Sequence, residues 1–157
     1  MGDESNQATI LGNIGNLYYE LEQNKSAELF FRKGLALARK TNNLVMQGNI
    51  LVNLGRLKFE VVNDSLVNLS EVDSALKYYN EAKVILEQTN SQYNLGVVYN
   101  NLGRIYAAKK DYTMALDFYK MGLDIRLALH DNFGVGLSYM AIGEIEKIKK
   151  NYDKSIE

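Results

Sequence analysis

The 157-residue chain contains no cysteine and no proline, and it has a single histidine. Without cysteine there can be no disulfide framework, thiolate nucleophile or cysteine-ligated metal site. Since His130 has no second imidazole to join it, zinc sites of the common kinds are also excluded. Proline is a favoured turn residue and a helix breaker, so its absence favours long uninterrupted helices. We expect no catalytic constellation, no metal and no cofactor, and therefore no enzyme.

The chain also lacks a strong charge of either sign and any long apolar run. Its 18 basic residues are balanced by 19 acidic ones, which gives no general attraction to nucleic acid or to an acidic membrane. The first residues show no basic region followed by an apolar segment, and no run approaches the roughly 18 apolar residues of a membrane span. A cytoplasmic protein with neither nucleic acid nor membrane as partner is the expectation.

One short phrase with a glycine near its centre occurs four times along the chain. Its copies read "LGNIGNLY", "LVNLGRLK", "YNNLGRIY" and "YMAIGEIE", centred on Gly15, Gly55, Gly103 and Gly143. Successive glycines lie 40, 48 and 40 residues apart. This regular recurrence indicates a repeat architecture.

A second pattern comes after each of the first three glycines. A small residue is followed by an aromatic residue four positions later and by another small residue three positions after that. The three sets are Ala27, Phe31, Gly34; Ala75, Tyr79, Ala82; and Ala115, Tyr119, Gly122. The last small residue of each set lies 21 residues before the next glycine, so the 48-residue interval is a 40-residue one with an eight-residue insertion.

Small residues at fixed helical positions indicate close packing of helices. Glycine inside a helix costs about 1 kcal/mol relative to alanine, so its recurrence in an apolar periodic run needs a packing reason. Each repeat is therefore predicted to be a pair of antiparallel amphipathic helices. The predicted helices lie near 6–23, 25–41, 45–62, 70–89, 92–109, 111–129 and 132–149, with Asn24, Asp111 and Asn151 as candidate caps of the second helices.

These motifs resemble the tetratricopeptide repeat signature. Leu11, Ile14, Gly15, Tyr18, Ala27 and Phe31 fit it in the first copy, and Tyr99, Leu102, Gly103, Tyr106, Ala115 and Tyr119 in the third. The 40-residue period exceeds the usual 34 and also falls in the HEAT/armadillo range, but the small and aromatic positions favour the tetratricopeptide family. The resemblance implies an all-α fold, a right-handed superhelical stack of antiparallel helix pairs.

The whole chain, 1–157, is interpreted as one array within a longer protein. Its repeats are predicted at about 6–44, 45–91 with an insertion near 60–71, 92–131, and a partial copy at 132–157. The insertion is either a longer hairpin tip or a projecting lip that contacts a partner. Because the fourth copy lacks most of a second helix, Ile142, Ile145 and Ile148 should lose cover there, and we expect either fraying or self-association through the truncated ends.

A polar stripe runs along the first helices of the repeats. It comprises Asn13, Asn16, Asn49, Asn53, Arg56, Asn101 and Arg104. The family resemblance implies that this stripe lines a concave groove, where Asn13, Asn53 and Asn101 hydrogen-bond the backbone of an extended peptide. Arg56 and Arg104 would then contact carboxylates. The alternative is that these residues hydrogen-bond between repeats or face water.

Two function classes remain open. The first is a scaffold that binds a protein or peptide partner, with an extended acidic segment in the groove. The second is a regulatory or self-associating segment of a larger signalling protein. A carboxylate clamp of the chaperone-binding kind is not indicated, because Gly12, Val52, Asn100 and Met140 stand where that clamp needs lysine.

Overall fold

The computed structural model describes residues 2–60 and 69–156, and these residues form seven helices and no strand. The helices are α1 (Gly2–Glu20), α2 (Asn24–Lys40), α3 (Leu44–Glu60), α4 (Leu69–Gln88), α5 (Gln92–Ala108), α6 (Tyr112–Ala128) and α7 (Asn132–Ile156). The all-helical prediction is confirmed, and most predicted bounds agree within a few residues.

The helices fall into two compact units, Met1–Ser91 with α1 to α4 and Gln92–Glu157 with α5 to α7. Within them α1 packs on α2, α3 on α4, and α5 on α6. The first pair is antiparallel, because Gly15 lies against Phe31 whereas Gly12, earlier in α1, lies against Gly34, later in α2. α7 packs against α6.

Each helix pair closes around an aromatic ring seated on the signature glycine. A Cβ atom built on Gly15 would lie 2.5 Å from the ring of Phe31, and one on Gly103 would lie 2.6 Å from the ring of Tyr119. Both rings are buried. No side chain fits between helix and ring, so the glycines are required by close approach.

The tight turns between helices pass through residues with left-handed backbone geometry. Positive φ angles occur at Glu22, Asn42, Asn90, Lys110 and His130, none of which is glycine. After α1, the amide of Gln23 donates to the carbonyl of Tyr18, the wide hydrogen bond that closes a helix C-terminus. Asparagine tolerates this geometry better than glutamate or lysine, so the chain stores some strain at Glu22 and Lys110.

The three predicted caps have different outcomes. Asp111 caps α6, since its carboxylate accepts a hydrogen bond from the amide of Met114 at 3.1 Å. The prediction for Asn24 is wrong by one residue: Gln23 is the cap of α2, and its side chain makes no capping bond.

Asn151 does not begin a new helix, because α7 runs through it without interruption from Asn132 to Ile156. The prediction relied on the repeat, in which Glu22 and Lys110 turn the chain seven residues after the glycine. The residue seven positions after Gly143 is Lys150, and it stays within the continuous helix α7.

The expectation that Ile145 loses its cover is wrong. Its side chain is 4% exposed and packs with Ala115, Leu116 and Tyr119, so α6 provides the cover.

The insertion near 60–71 lies mainly outside the described residues, so the tip and lip interpretations both remain predictions. Over the described part of the chain, no helix has the length and apolarity needed to cross a bilayer.

Candidate functional site

In the first unit, the polar stripe is formed by α1 and α3 lying side by side. Asn13 is exposed, whereas Asn16, Asn49 and Asn53 are half-buried. The Nδ2 atom of Asn53 donates a hydrogen bond to Oδ1 of Asn16 at 2.8 Å. This pair therefore follows the alternative that the sequence left open, hydrogen bonding between repeats. Each amide still has other donors and acceptors to offer.

Arg56 extends the stripe with a half-buried positive charge. Its guanidinium carbon lies 4.2 Å from the centroid of the Tyr19 ring, a cation–π geometry that fixes the side chain between α1 and α3. Its Nε atom is buried and has no hydrogen-bond partner among the described residues. Burial lowers the pKa of Arg56, although the Tyr79 phenol and the Glu20 carboxylate act the other way. A desolvated cation with an unused donor favours an anionic ligand.

In the second unit, the two stripe residues contact each other. Nη1 of Arg104 donates to Oδ1 of Asn101 at 3.3 Å, across one turn of α5. Asn101 is only 6% exposed, so the expectation that this position faces solvent is wrong. The Arg104 side chain, which reaches back over the amide, gives the physical reason. Burial raises the pKa of the neighbouring Tyr119 phenol, and the Arg104 charge partly offsets that effect.

A buried polar contact between α6 and α7 was missed by sequence reasoning. Arg126 is 8% exposed, and its Nη1 donates to the Gly134 carbonyl at 2.9 Å and to Oγ of Ser138 at 2.8 Å. A signal was available: earlier copies have Ala38 and Leu86 at the arginine's place, and Ile50 and Val98 at the serine's. Two simultaneous apolar-to-polar changes predict a mutual contact.

A groove of about 250 Å³ lies between α2 and α4. Leu35 and Leu54, both buried, form part of its lining. Arg39 binds Glu81 across the groove, and Arg32 of its lining binds Glu28 at 2.7 Å. We interpret it as a structural junction. No cluster of three or more potential metal-ligating side chains occurs in the described ranges.

The sequence pattern of the tetratricopeptide repeat matches residues 7–44 and 64–128. The chain belongs to the tetratricopeptide repeat family. Repeats of this family serve as scaffolds for protein interactions. Two contacts between stripe residues are observed, Asn53 with Asn16 in the first unit and Arg104 with Asn101 in the second.

A curated relative and several solved structures support the same fold. The human "Intraflagellar transport protein 88 homolog" is 25% identical over 194 aligned residues, which cover 96% of this chain and 22% of that protein. The structure of the apo form of RapI gives a TM-score of 0.79 at 16% identity, covering 96% of this chain and 52% of that one. This chain thus spans about a fifth of the human relative and half of RapI.

Two further structures agree. The signal transduction ATPase with a tetratricopeptide repeat sensor from Pyrococcus horikoshii gives a TM-score of 0.77 at 20% identity, over 96% of this chain and 22% of that one. BtubC from P. vanneervenii gives a TM-score of 0.69 at 22% identity, over 94% and 61%. At such identities these likenesses establish the fold alone.

Proposed function

We propose that this tetratricopeptide repeat protein is a binding scaffold whose polar stripe holds an extended, acidic segment of a partner protein. The observation that carries the proposal is Arg56. Its charge is half-buried, held over Tyr19, and its Nε donor has no partner within the described chain. A carboxylate placed against the accessible part of the guanidinium would add to the favourable charge interaction that Glu20 provides.

The asparagines around Arg56 suit an extended backbone. Asn13 is exposed. The side-chain N–H of Asn53 already donates to Asn16, and this leaves the side-chain oxygen of Asn53 able to accept from a peptide N–H. Amide side chains bind a peptide group regardless of its sequence, while the arginine selects for charge. The second unit offers less of this chemistry, because Asn101 is buried and its Oδ1 accepts from Arg104.

The test is an array of extended peptides that differ in acidic content, followed by calorimetric titration of the best binder. Acidic peptides should bind best, and Arg56→Ala should weaken binding by about 1–3 kcal/mol because it leaves a carboxylate without its partner. Arg56→Lys should recover only part of the loss, because lysine keeps the charge without the planar donors. Lys25→Ala is the matched control, since it removes the same charge at the exposed start of α2.

The results of the peptide-binding experiment can contradict the proposal. Selection of neutral or basic peptides, or an equal effect of Arg56→Ala and Lys25→Ala, would contradict it. Added salt should weaken the wild-type complex more than the Arg56→Ala complex, because exposed charge pairs are screened.

A further inference from the structure

The residue after each signature glycine varies together with the aromatic residue that lies against that glycine. The three pairs are Asn16 with Phe31, Arg56 with Tyr79, and Arg104 with Tyr119. Among these copies, arginine follows the glycine only where the ring carries a hydroxyl group. This joint variation indicates that the two side chains interact, because the ring occupies the same place in every pair.

Tyr79 points the hydroxyl end of its ring at the glycine that precedes Arg56. The side chain is 0% exposed. A Cβ atom built on Gly55 would lie 2.7 Å from Cε1 and 2.8 Å from Cζ, the ring carbon that bears the hydroxyl. On Gly15 and Gly103, the nearest ring atoms are instead Cδ1, Cε1 and Cγ, which lie farther from the tip of the ring. The polar end of Tyr79 is therefore brought closest to its arginine.

Arg56 of α3 is influenced by tyrosines from two other helices. Its guanidinium carbon lies 4.2 Å from the ring centroid of Tyr19 in α1. The Tyr79 phenol in α4 is near enough to affect the pKa of Arg56, and the Arg56 Nε atom is buried. A long side chain that is already oriented loses less conformational freedom when it binds a ligand, so this arrangement favours selective binding.

The other two copies follow the same rule. In the third copy Tyr119 is 4% exposed, and the charge of Arg104 opposes the rise that burial causes in the pKa of its phenol. In the first copy Phe31 offers no polar atom, and Asn16 accepts a hydrogen bond from Asn53 instead. The residue after the glycine thus has a different polar neighbour when the hydroxyl is absent.

We propose that Tyr79 is a positioning residue for Arg56: its buried hydroxyl orients the guanidinium within the stripe and so sets the preference for acidic over neutral segments. A phenolic oxygen can accept hydrogen bonds and a guanidinium carries only donors, so the two groups attract each other. The inference rests on the proposed function of the stripe. Because Phe31 closes its helix pair without a hydroxyl, the oxygen of Tyr79 is not needed for packing.

The first experiment uses the free protein and the substitution Tyr79→Phe, which removes the hydroxyl and keeps the ring. Nitrogen-15 NMR measures how fast the hydrogen on Arg56 Nε exchanges with water. We expect exchange to become about threefold faster or more, because the guanidinium leaves its buried position more often once the polar contact is lost. Backbone amides of α3 should exchange at unchanged rates, which separates lost orientation from general loosening of the helix.

Tyr78→Phe is the matched control. It removes the same hydroxyl from the neighbouring residue of α4, whose side chain lines the groove between α2 and α4. The Tyr78 phenol affects the pKa of Arg32. Exchange at Arg56 Nε should therefore remain as in the wild type.

The second experiment measures selectivity. The probes are an extended peptide of alternating glutamate and serine and its counterpart with glutamine in place of glutamate. Calorimetric titration gives the ratio of their affinities, which Tyr79→Phe should lower by about threefold or more with little change in melting temperature. In an Arg56→Ala background, Tyr79→Phe should change the ratio no further, because the hydroxyl acts through Arg56.

Three results would overturn the inference. They are an unchanged exchange rate at Arg56 Nε in Tyr79→Phe, an equal change in Tyr78→Phe, or a selectivity that falls equally with and without Arg56. A failure of the proposed function looks different, since the wild type would then show no preference for the glutamate peptide. That result would remove the role of Tyr79 in selectivity, while the exchange rate in the free protein would still decide whether Tyr79 orients Arg56.

Discussion

Gly103 and Gly143 stand at the same place in the repeat but have opposite surroundings. Gly103 is buried with the Tyr119 ring against it, whereas Gly143 is exposed and open. The difference lies in the second helix: α6 returns antiparallel to α5, while α7 continues straight through the position where a return would start. The signature phrase thus specifies one half of an interface, and the other half depends on the next segment of the chain.

The largest effect should come from placing leucine at both glycines. Gly103→Leu must displace the Tyr119 ring from a close-packed seam, so the free energy of unfolding should fall by about 3 kcal/mol or more. Gly143→Leu meets no neighbour and replaces a poor helix former, so it should be neutral or stabilise by up to about 1 kcal/mol. Urea denaturation followed by circular dichroism measures both.

The two leucine variants are each other's control, since the substitution is the same. A similar loss of stability in both would mean that the face of α7 that carries Gly143 is already filled. A neutral Gly103→Leu would show that the aromatic seat is not a packing constraint.

A second matched pair lies at the start of α7. A Cβ on Gly134 would lie 2.1 Å from Oδ2 of Asp131, whereas one on Gly136 has nothing within 4 Å. Asp131 caps α7 by accepting from the Gly134 amide at 2.9 Å. Gly134→Ala should disturb this cap and cost about 1–2 kcal/mol, whereas Gly136→Ala should stabilise by about 0.5–1 kcal/mol.

Thermal melting of the two alanine variants tests whether their effects on stability are opposite. A stabilising Gly134→Ala would show that the cap and the Arg126 contact are not under steric constraint. If Gly136→Ala lowers the melting temperature, another group must pack against the face of α7 that carries Gly136.

A moderate effect is expected where neighbouring helix pairs are linked through the stripe. Asn53→Ala removes the hydrogen bond to Asn16 and should lower the free energy of unfolding by about 1 kcal/mol. At the equivalent position α7 has Ala141, which can make no such side-chain bond. A double-mutant cycle with Asn16→Ala measures the coupling; a coupling of zero would mean that the asparagines act independently.

The smallest effect concerns the position three residues after the glycine, which is Lys58 in α3 and Glu146 in α7. Lys58 donates to Glu28 at 2.8 Å. Burial raises the pKa of Glu28, but the hydrogen bonds from Lys58 and Arg32 outweigh it, and the net pKa lies below its ordinary value of 4.5. A lowered carboxylate pKa stabilises the fold above the ordinary value, and this stabilisation disappears as the pH falls through the folded-state pKa.

Glu28→Gln should therefore cost about 0.5–1 kcal/mol at neutral pH. The cost should shrink as the pH falls from 4.5 through the lower folded-state pKa, where the native carboxylate becomes neutral. Glu146→Gln should have no effect, because the Glu146 side chain is exposed. Urea denaturation at both pH values tests this; a pH-independent cost of Glu28→Gln would show that the carboxylate's charge is not what stabilises the pair.

Most of the fold was predictable because every repeat requires the same close packing between its two helices. The small residues and the aromatic residues place each pair's contact, so the helices around Gly15 and Phe31, or Gly103 and Tyr119, can be located from spacing alone. Helix ends were predicted less well, since the choice between Gln23 and Asn24 as a cap depends on local geometry.

The sequence places the stripe residues on common helix faces, but it does not predict their contacts. Spacing shows that Asn16, Asn53 and Arg56 share a face, but not that Asn53 reaches Asn16 or that Arg56 lies on Tyr19. The burial of Asn101 depends on the rotamer of Arg104, which no periodicity encodes. The continuation of α7 through Asn151 was missed because the repeat pattern predicts a turn at the same position of every copy.

The most direct test of the contrast between the glycine-bearing faces of α3 and α7 uses the absence of cysteine from the chain. Val52→Cys and Met140→Cys place single thiols at equivalent positions of α3 and α7, 8% and 72% exposed in the wild type. We expect Met140→Cys to react with a thiol reagent nearly as fast as an unfolded control, and Val52→Cys at least tenfold more slowly. Equal protection of the two thiols, with both variants folded, would show that this face of α7 is covered and would contradict this account.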